Sequence, residues 1–209
     1  MSKLSQGNVI KVMDLLLAEY PDAGCALNHK SVYQLLVATV LSAQTTDASV
    51  NKITPALFKL APNAKAMAEL DVSQIEDCIH SIGMYRQKAK NVLNLSRILA
   101  TEYKGKVPQD FDALTSLPGV GRKTANVVLS VGFGEQHIAV DTHVFRLANR
   151  IGLVETDNVL DTEMELMKRI PEEHWTEMHH ALIFHGRRVC AAKKPDCENC
   201  CIKKLCKKQ

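Results

Sequence analysis

The sequence predicts an all-α protein, and three observations carry that prediction. Apolar residues recur at helical spacing along most of the 209 residues, while no segment of any length alternates with the two-residue period of a strand and no repeat covers the chain. Helix punctuation falls where those runs begin and end, with Ser31, Asp110 and Asp141 at starts and Pro21 at a stop. Third, Leu117-Pro118-Gly119-Val120-Gly121-Arg122-Lys123-Thr124-Ala125 sets a proline and two glycines between helix formers, the composition of a tight hairpin with positive φ between two helices.

Taken in order, Val9, Val12, Met13, Leu16 and Leu17 line one face from Ser5 to Tyr20, an amphipathic helix that Pro21 ends. Ser31 caps a second helix in which Val32, Leu35, Leu36, Val37, Val40 and Leu41 cover nearly every side, so this helix is expected at the centre of a core. The polar run Ser42-Ala43-Gln44-Thr45-Thr46-Asp47 is then a rigidly held loop, with at least one of Thr45, Thr46 and Asp47 capping the helix of Val50 and Ile53. Pro55 is expected to open a further turn. Ser73-Gln74-Ile75-Glu76 reads as a capping box before Cys78 and Ile79, with Gly83 as the stop. Ile82-Gly83-Met84-Tyr85 is a short apolar loop before a helix from about Gln87 to Tyr103. Such a tip either packs back onto the core or serves as a wedge between bases. Asp110 caps a short helix leading into the hairpin, and Asp141 stands at the start of a helix marked by Val144, Leu147, Ala148 and Ile151. Two further helices run from about Asn158 to Ile170 and from Glu172 to Arg188, the second expected to expose His179, His180 and His185 as structural or surface residues.

The hairpin carries the first chemistry. Gly119 and Gly121 leave main-chain N–H groups exposed where a helix begins, and those donors, with the positive end of the helix dipole, favour an anion such as phosphate. Main-chain donors read no base edge, so a nucleic acid held there is held without regard to sequence. Lys123 follows in the first turn beside Arg122, where dipole and neighbouring cation disfavour a further positive charge and leave the amine nucleophilic. One more phosphate contact is the plainer role and weighs equally on this stretch alone. For Asp141 the plainer role is the helix cap; it gains interest as the carboxylate partner that a lysine nucleophile needs.

At 46% hydrophobic and 23% charged residues, the composition is that of an ordinary globular protein, long enough for one large domain or two small ones. The N-terminus has no apolar signal core and no run approaches the roughly 18 residues that span a bilayer, so a cytoplasmic protein without a membrane partner is expected. The net charge of +3 argues little, but its distribution argues more. Residues 187–209 hold Arg187, Arg188, Lys193, Lys194, Lys203, Lys204, Lys207 and Lys208 against Asp196 and Glu198, a local +6 that leaves −3 elsewhere. Charge gathered at one end is the footprint of a polyanion binder, with a solvated basic tail as the plainer reading.

Seven cysteines in a cytoplasmic chain do not suggest disulfides. Cys190, Cys197, Cys200 and Cys206 follow the pattern C-x6-C-x2-C-x5-C, which reads as a tetrathiolate metal site. Spacing leaves zinc and an iron–sulfur cluster both open, and Cys201 beside Cys200 leaves open which thiol ligates. Cys25 and Cys78 look like small hydrophobes in helical context.

The hairpin, Val140-Asp141-Thr142-His143, Leu41-Ser42-Ala43-Gln44 and the cysteine pattern together closely resemble the endonuclease III family of bacterial base-excision-repair DNA glycosylases, from the N-terminal helix to Cys206. The resemblance implies a helix-hairpin-helix domain over residues 25–136, and a second domain from 1–24 plus 137–209 holding a [4Fe-4S] cluster on Cys190, Cys197, Cys200 and Cys206. Double-stranded DNA with damaged bases or abasic sites would lie in a groove between them, bound by a monomer. It implies Lys123 as the nucleophile at C1′ of the damaged nucleotide and Asp141 as its assistant, accepting the lysine proton or stabilising positive charge on the sugar. It implies DNA contacts by Gln44, Met84, Gly119, Gly121, Arg122, Lys193 and Lys194, with Met84 where the family commonly has leucine. The activity implied is removal of a damaged base, an oxidised pyrimidine foremost, followed by β-elimination 3′ to the abasic site. Adenine-mismatch relatives lack the lysine and carry a further C-terminal domain that this chain, three residues beyond Cys206, is expected to lack. A thymine-mismatch or oxidised-purine specialist and a non-catalytic DNA-structure binder are the remaining alternatives.

Overall fold

The computed structural model describes residues 3–207, so Lys208 of the basic run lies outside the described residues. Among those described, the regular structure is entirely helical: eleven α-helices, one π-helical turn and one 3-10 turn. No helix among them is long and apolar enough to cross a membrane. The chain divides into two units, Ala26–Gly134 and Met1–Cys25 with Glu135–Gln209.

In Ala26–Gly134 the organising element is α2 (Val32–Leu41), capped by Ser31 and buried from Tyr33 through Leu41. An all-round apolar helix has nowhere else to go. Tyr33 Oη and Ser96 Oγ, 2.7 Å apart, fasten it to α6 (Tyr85–Glu102), and burial pushes the Tyr33 phenol up. Of the three candidate caps for α3 (Asp47–Leu60), Thr46 serves, its Oγ1 accepting from Ser49 N. Pro55 does not open a new turn as expected; it lies inside α3, where the burial of Ile53, Thr54 and Leu57 offsets the hydrogen bond that proline cannot make.

The next two helices, α4 (Ala64–Ala68) and α5 (Val72–Ile79), pack on α6. The capping box of α5 is Asp71 with Gln74 rather than Ser73 with Glu76: Gln74 Oε1 accepts from Asp71 N at 2.9 Å, so the same reciprocal chemistry begins two residues earlier. Gly83 is not the helix stop either. Helix α5 ends at Ile79, and the left-handed residue in the following loop is Met84. The hairpin helices are α7 (Phe111–Ser116), capped by Asp110, and α8 (Arg122–Val127), which runs into a π-helical turn over Val128–Gly132. A Cβ on Gly132 would lie 2.9 Å from Val32 Cγ1, so the backbone of that turn packs directly onto α2.

The other unit is built from α1 (Gln6–Glu19), α9 (Thr142–Ile151), α10 (Val159–Arg169) and α11 (Trp175–Arg188) around Val12, Leu16, Val144, Leu147, Leu166, Met178 and Leu182. Arg169 donates to the carbonyls of Leu153 and Leu4, tying the N-terminal strand of chain to α10. The last helix starts later than expected, since Glu172–His174 form the 3-10 turn and Trp175, whose indole donates to Ile170 O at 2.9 Å, begins the α-helix. His179, His180 and His185 are buried rather than exposed, because α11 packs against both α1 and α9 and has little free surface. Cys25 lies beyond the end of α1, not in a helix, whereas Cys78 is within α5.

Candidate functional site

Gly119 has φ +78, and a Cβ there would meet the Asn91 amide nitrogen at 2.7 Å, so both the backbone and a neighbour on α6 require glycine. Gly121 differs from the expectation of positive φ. As the N-cap of α8 it has φ −97, which any residue adopts, and a Cβ would meet nothing within 4 Å. Internal packing gives no reason for glycine here; what its absent side chain leaves is open space over the amide groups that begin α8. Arg122 stacks on Phe111 of α7 at 4.8 Å from the ring centroid, bracing the hairpin from outside. Lys123 is exposed in the first turn of α8, its amine accessible from solvent.

Gln44 and Met84 belong to the same unit as the hairpin. Both are exposed, and both are left-handed, with φ of 53 and 57. A side chain in that region costs about 1–2 kcal/mol, a strain that folded proteins keep mainly at functional positions. Only four non-glycine residues among those described have positive φ, and Lys194 at φ 54 is another of them. The apolar tip divides its duties: Ile82 packs back onto the core at 4% exposure, whereas Met84 stands out at 53%.

In the other unit, Asp141 caps α9. Its Oδ1 accepts from His143 N and Val144 N, each at 2.8 Å, while Oδ2 takes no hydrogen bond from a described residue. Capping holds the half-buried carboxylate in one orientation and leaves its second oxygen available. Cys190, Cys197, Cys200 and Cys206 line a single cavity of about 260 Å³, and the Cys201 thiol does not. Burial, then the adjacent Cys200, pushes the Cys201 thiol up to about 11, and burial raises the Cys200 thiol as well, so it is the cavity lining that sets the two apart. Arginines of α9 hold the loop through its carbonyls: Arg150 donates to Ala191 O and Ala192 O, and Arg146 to Cys190 O. Arg150 Nη1 also reaches Cys190 Sγ at 3.5 Å. On the opposite wall His185 bridges Tyr20 Oη, 2.9 Å from Nδ1, and Cys200 Sγ, 3.6 Å from Nε2; burial first, and then Arg146, lower its basicity to about 4. Lys193 and Lys194 are exposed between the first two cysteines.

The sequence did not point to Asn91 beneath Gly119, the Arg122–Phe111 stack, the arginine clamps or the buried Lys88, which bonds Thr45. Each is a long-range contact between residue types that are commonplace on a helix surface, so periodicity carries no sign of them.

Residues 37–172 match the HhH-GPD superfamily of base excision DNA repair proteins. The chain is 48% identical over 197 residues to the endonuclease III of Synechocystis sp., covering 94% of this chain and 90% of that one. Among solved structures it is similar to a non-covalent endonuclease III–DNA complex, with TM-score 0.93, 45% identity and coverage of 98% of this chain and 96% of that one. It is equally similar, at TM-score 0.93 and 46% identity over the same shares, to a trapped endonuclease III–DNA covalent intermediate with an estranged adenine. The all-helical architecture, the glycine hairpin with its exposed lysine and these matches agree, and the chain belongs to the HhH-GPD superfamily of base excision DNA repair proteins.

Proposed function

We propose that the chain is a bifunctional DNA N-glycosylase and AP lyase, which removes damaged bases, oxidised pyrimidines foremost, from double-stranded DNA and cleaves 3′ to the abasic site as a monomer. The observation that carries this reading is the exposed amine of Lys123 in the first turn of α8, directly after a glycine with open space above it. A phosphate over Gly121 would meet main-chain donors and the dipole of α8, bringing the backbone of one strand against Arg122 and Lys123.

A base within the stack is out of reach, so the nucleotide is flipped out at a cost of a few kcal/mol, least for damaged or mispaired bases. Gln44 and Met84, strained and exposed, fill the gap it leaves. Unprotonated Lys123 then donates its lone pair to C1′, and the C1′–N bond breaks with its electron pair leaving on the base, which is protonated. By the family resemblance, Asp141, whose Oδ2 is not committed to the cap, accepts the lysine proton or stabilises the positive charge that develops on the sugar. The lysine nitrogen lone pair forms C1′=N as C1′–O4′ breaks with its pair onto O4′, which is protonated, and a protonated Schiff base results. The C2′ proton is then lost to a base or water, its pair forming the C1′=C2′ enamine; that pair shifts to C2′=C3′ as the 3′ phosphate leaves with the C3′–O pair, and water adds to the remaining imine and restores the amine.

The cysteine residues fit a [4Fe-4S] cluster held by Cys190, Cys197, Cys200 and Cys206. The four thiols share one cavity of about 260 Å³, while among the described residues no three His, Cys, Asp or Glu side chains are gathered closely enough for a single metal ion such as zinc. When bound, the cluster supplies rigidity to the basic loop and no redox step of the reaction. Lys193 and Lys194 on that loop are then phosphate contacts.

Borohydride reduction on abasic DNA tests the chemistry. The unaltered protein is expected to form a covalent adduct, and Lys123→Gln to abolish it while retaining most binding. Normal trapping by Lys123→Gln would show that another amine attacks, and no trapping by the unaltered protein would leave a non-catalytic binder. A turnover panel of duplexes bearing single defined lesions checks the base preference.

A further inference from the structure

Lys88 is the only buried lysine among the described residues, 4% exposed. Its Nζ donates to Thr45 Oγ1 at 2.7 Å, and the Thr45 hydroxyl in turn donates to Ala43 O at 3.4 Å. Its main-chain N–H donates to Met84 O at 3.0 Å. One residue is therefore bonded through its side chain to the neighbour of Gln44 and through its backbone to Met84 itself, two of the three exposed left-handed non-glycine residues described in this unit, Lys104 being the third.

Burial holds the amine below the usual lysine range. Desolvating an amine costs free energy that a methionine at the same place would avoid. Thr45 Oγ1 is its one acceptor among the described residues. The bond ties the loop between α2 and α3 to the first turn of α6, one residue from Gln44 and four from Met84.

We propose that Lys88 is a positioning residue which locks the Gln44 and Met84 tips into one preformed, two-pronged wedge that enters the space left by the flipped nucleotide. This rests on the gap-filling role given to those two residues above. With spacing fixed before contact, the ordering cost of the two loops is met on folding rather than on insertion, and opening of the duplex is faster.

The test compares borohydride trapping rates at an abasic site in a duplex and at the same site in a single strand, which needs no wedge. Lys88→Met and, independently, Thr45→Val are expected to slow trapping in the duplex by about tenfold and to change it in the single strand by less than about twofold. Thr45→Ser, which keeps the hydroxyl, should restore the duplex rate, and Lys88→Met with Thr45→Val should be no slower than the worse single variant, because both remove one bond. Equal losses on the two substrates, unchanged duplex rates or additive losses would overturn the role of Lys88. Gln44→Ala and Met84→Ala serve as controls. If they slow the duplex reaction while Lys88→Met does not, only this inference fails; if they have no effect, or the unaltered protein traps nothing, the reading beneath it fails as well.

Discussion

On the proposed reading Asp141 answers two demands with different oxygens, and substitution separates them. Asparagine can still cap α9 through its side-chain oxygen, whereas alanine cannot. Asp141→Asn should unfold within about 0.5 kcal/mol of the unaltered protein yet lose most single-turnover base excision, while Asp141→Ala should lose that activity and about 0.5–2 kcal/mol besides. Denaturant unfolding beside a kinetic assay checks the pair, and full activity in Asp141→Asn would leave Asp141 only its cap. The hairpin glycines divide in a similar way. Gly119→Ala forces a Cβ against Asn91 at positive φ and should cost about 1–3 kcal/mol of stability. Gly121→Ala meets nothing inside the protein and should leave the thermal midpoint unchanged while weakening affinity for DNA, because its methyl group stands where a phosphate would sit. Unchanged binding by Gly121→Ala would remove the anion from that position.

At the scale of elements, the cysteine loop is a short irregular segment with no helix of its own and is fastened to α9 by Arg146 and Arg150. It is held further by Asp196 N donating to Val189 O, by Lys207 N donating to Ile151 O and by Ile202, which is buried in the core of its unit. Purified protein is expected to be brown, with iron and acid-labile sulfide in cluster stoichiometry, and extraction of the iron should release residues 191–206 to proteolysis while α2 to α8 stay protected. Colourless protein with one zinc per chain would overturn the cluster. Legibility also differed between elements. Helix α2 could be read directly, because its apolar residues surround the axis. The histidines of α11 could not be, since their burial depends on α1 and α9 covering both flanks. Pro55 misled for a related reason: packing of Ile53, Thr54 and Leu57 outweighs one missing hydrogen bond.

Over the whole molecule the charge is uneven, with the final 23 residues basic and the remainder slightly acidic. Not all of that charge faces outward unopposed, for Lys203 pairs with Glu198 at 2.9 Å. Lys193 forms no such pair among the described residues and is exposed. Lys193→Glu should therefore weaken binding to many sequences alike and lower the slope of log affinity against log salt by about 1 or more. A change in base preference at constant slope would contradict a phosphate contact.

Sequence by itself determined the helical class, the hairpin, the nucleophile candidate on its first turn and the four-thiol pattern, because each is written in neighbouring residues whose spacing has direct physical meaning. Tertiary structure alone decided that Gly119 serves the fold while Gly121 leaves space for something outside it. It also decided that Cys201 stands apart from the cavity, and that a buried lysine joins two distant loops. Those outcomes depend on which atoms arrive beside one another after the chain folds, and a one-dimensional period holds no information about neighbours forty residues away.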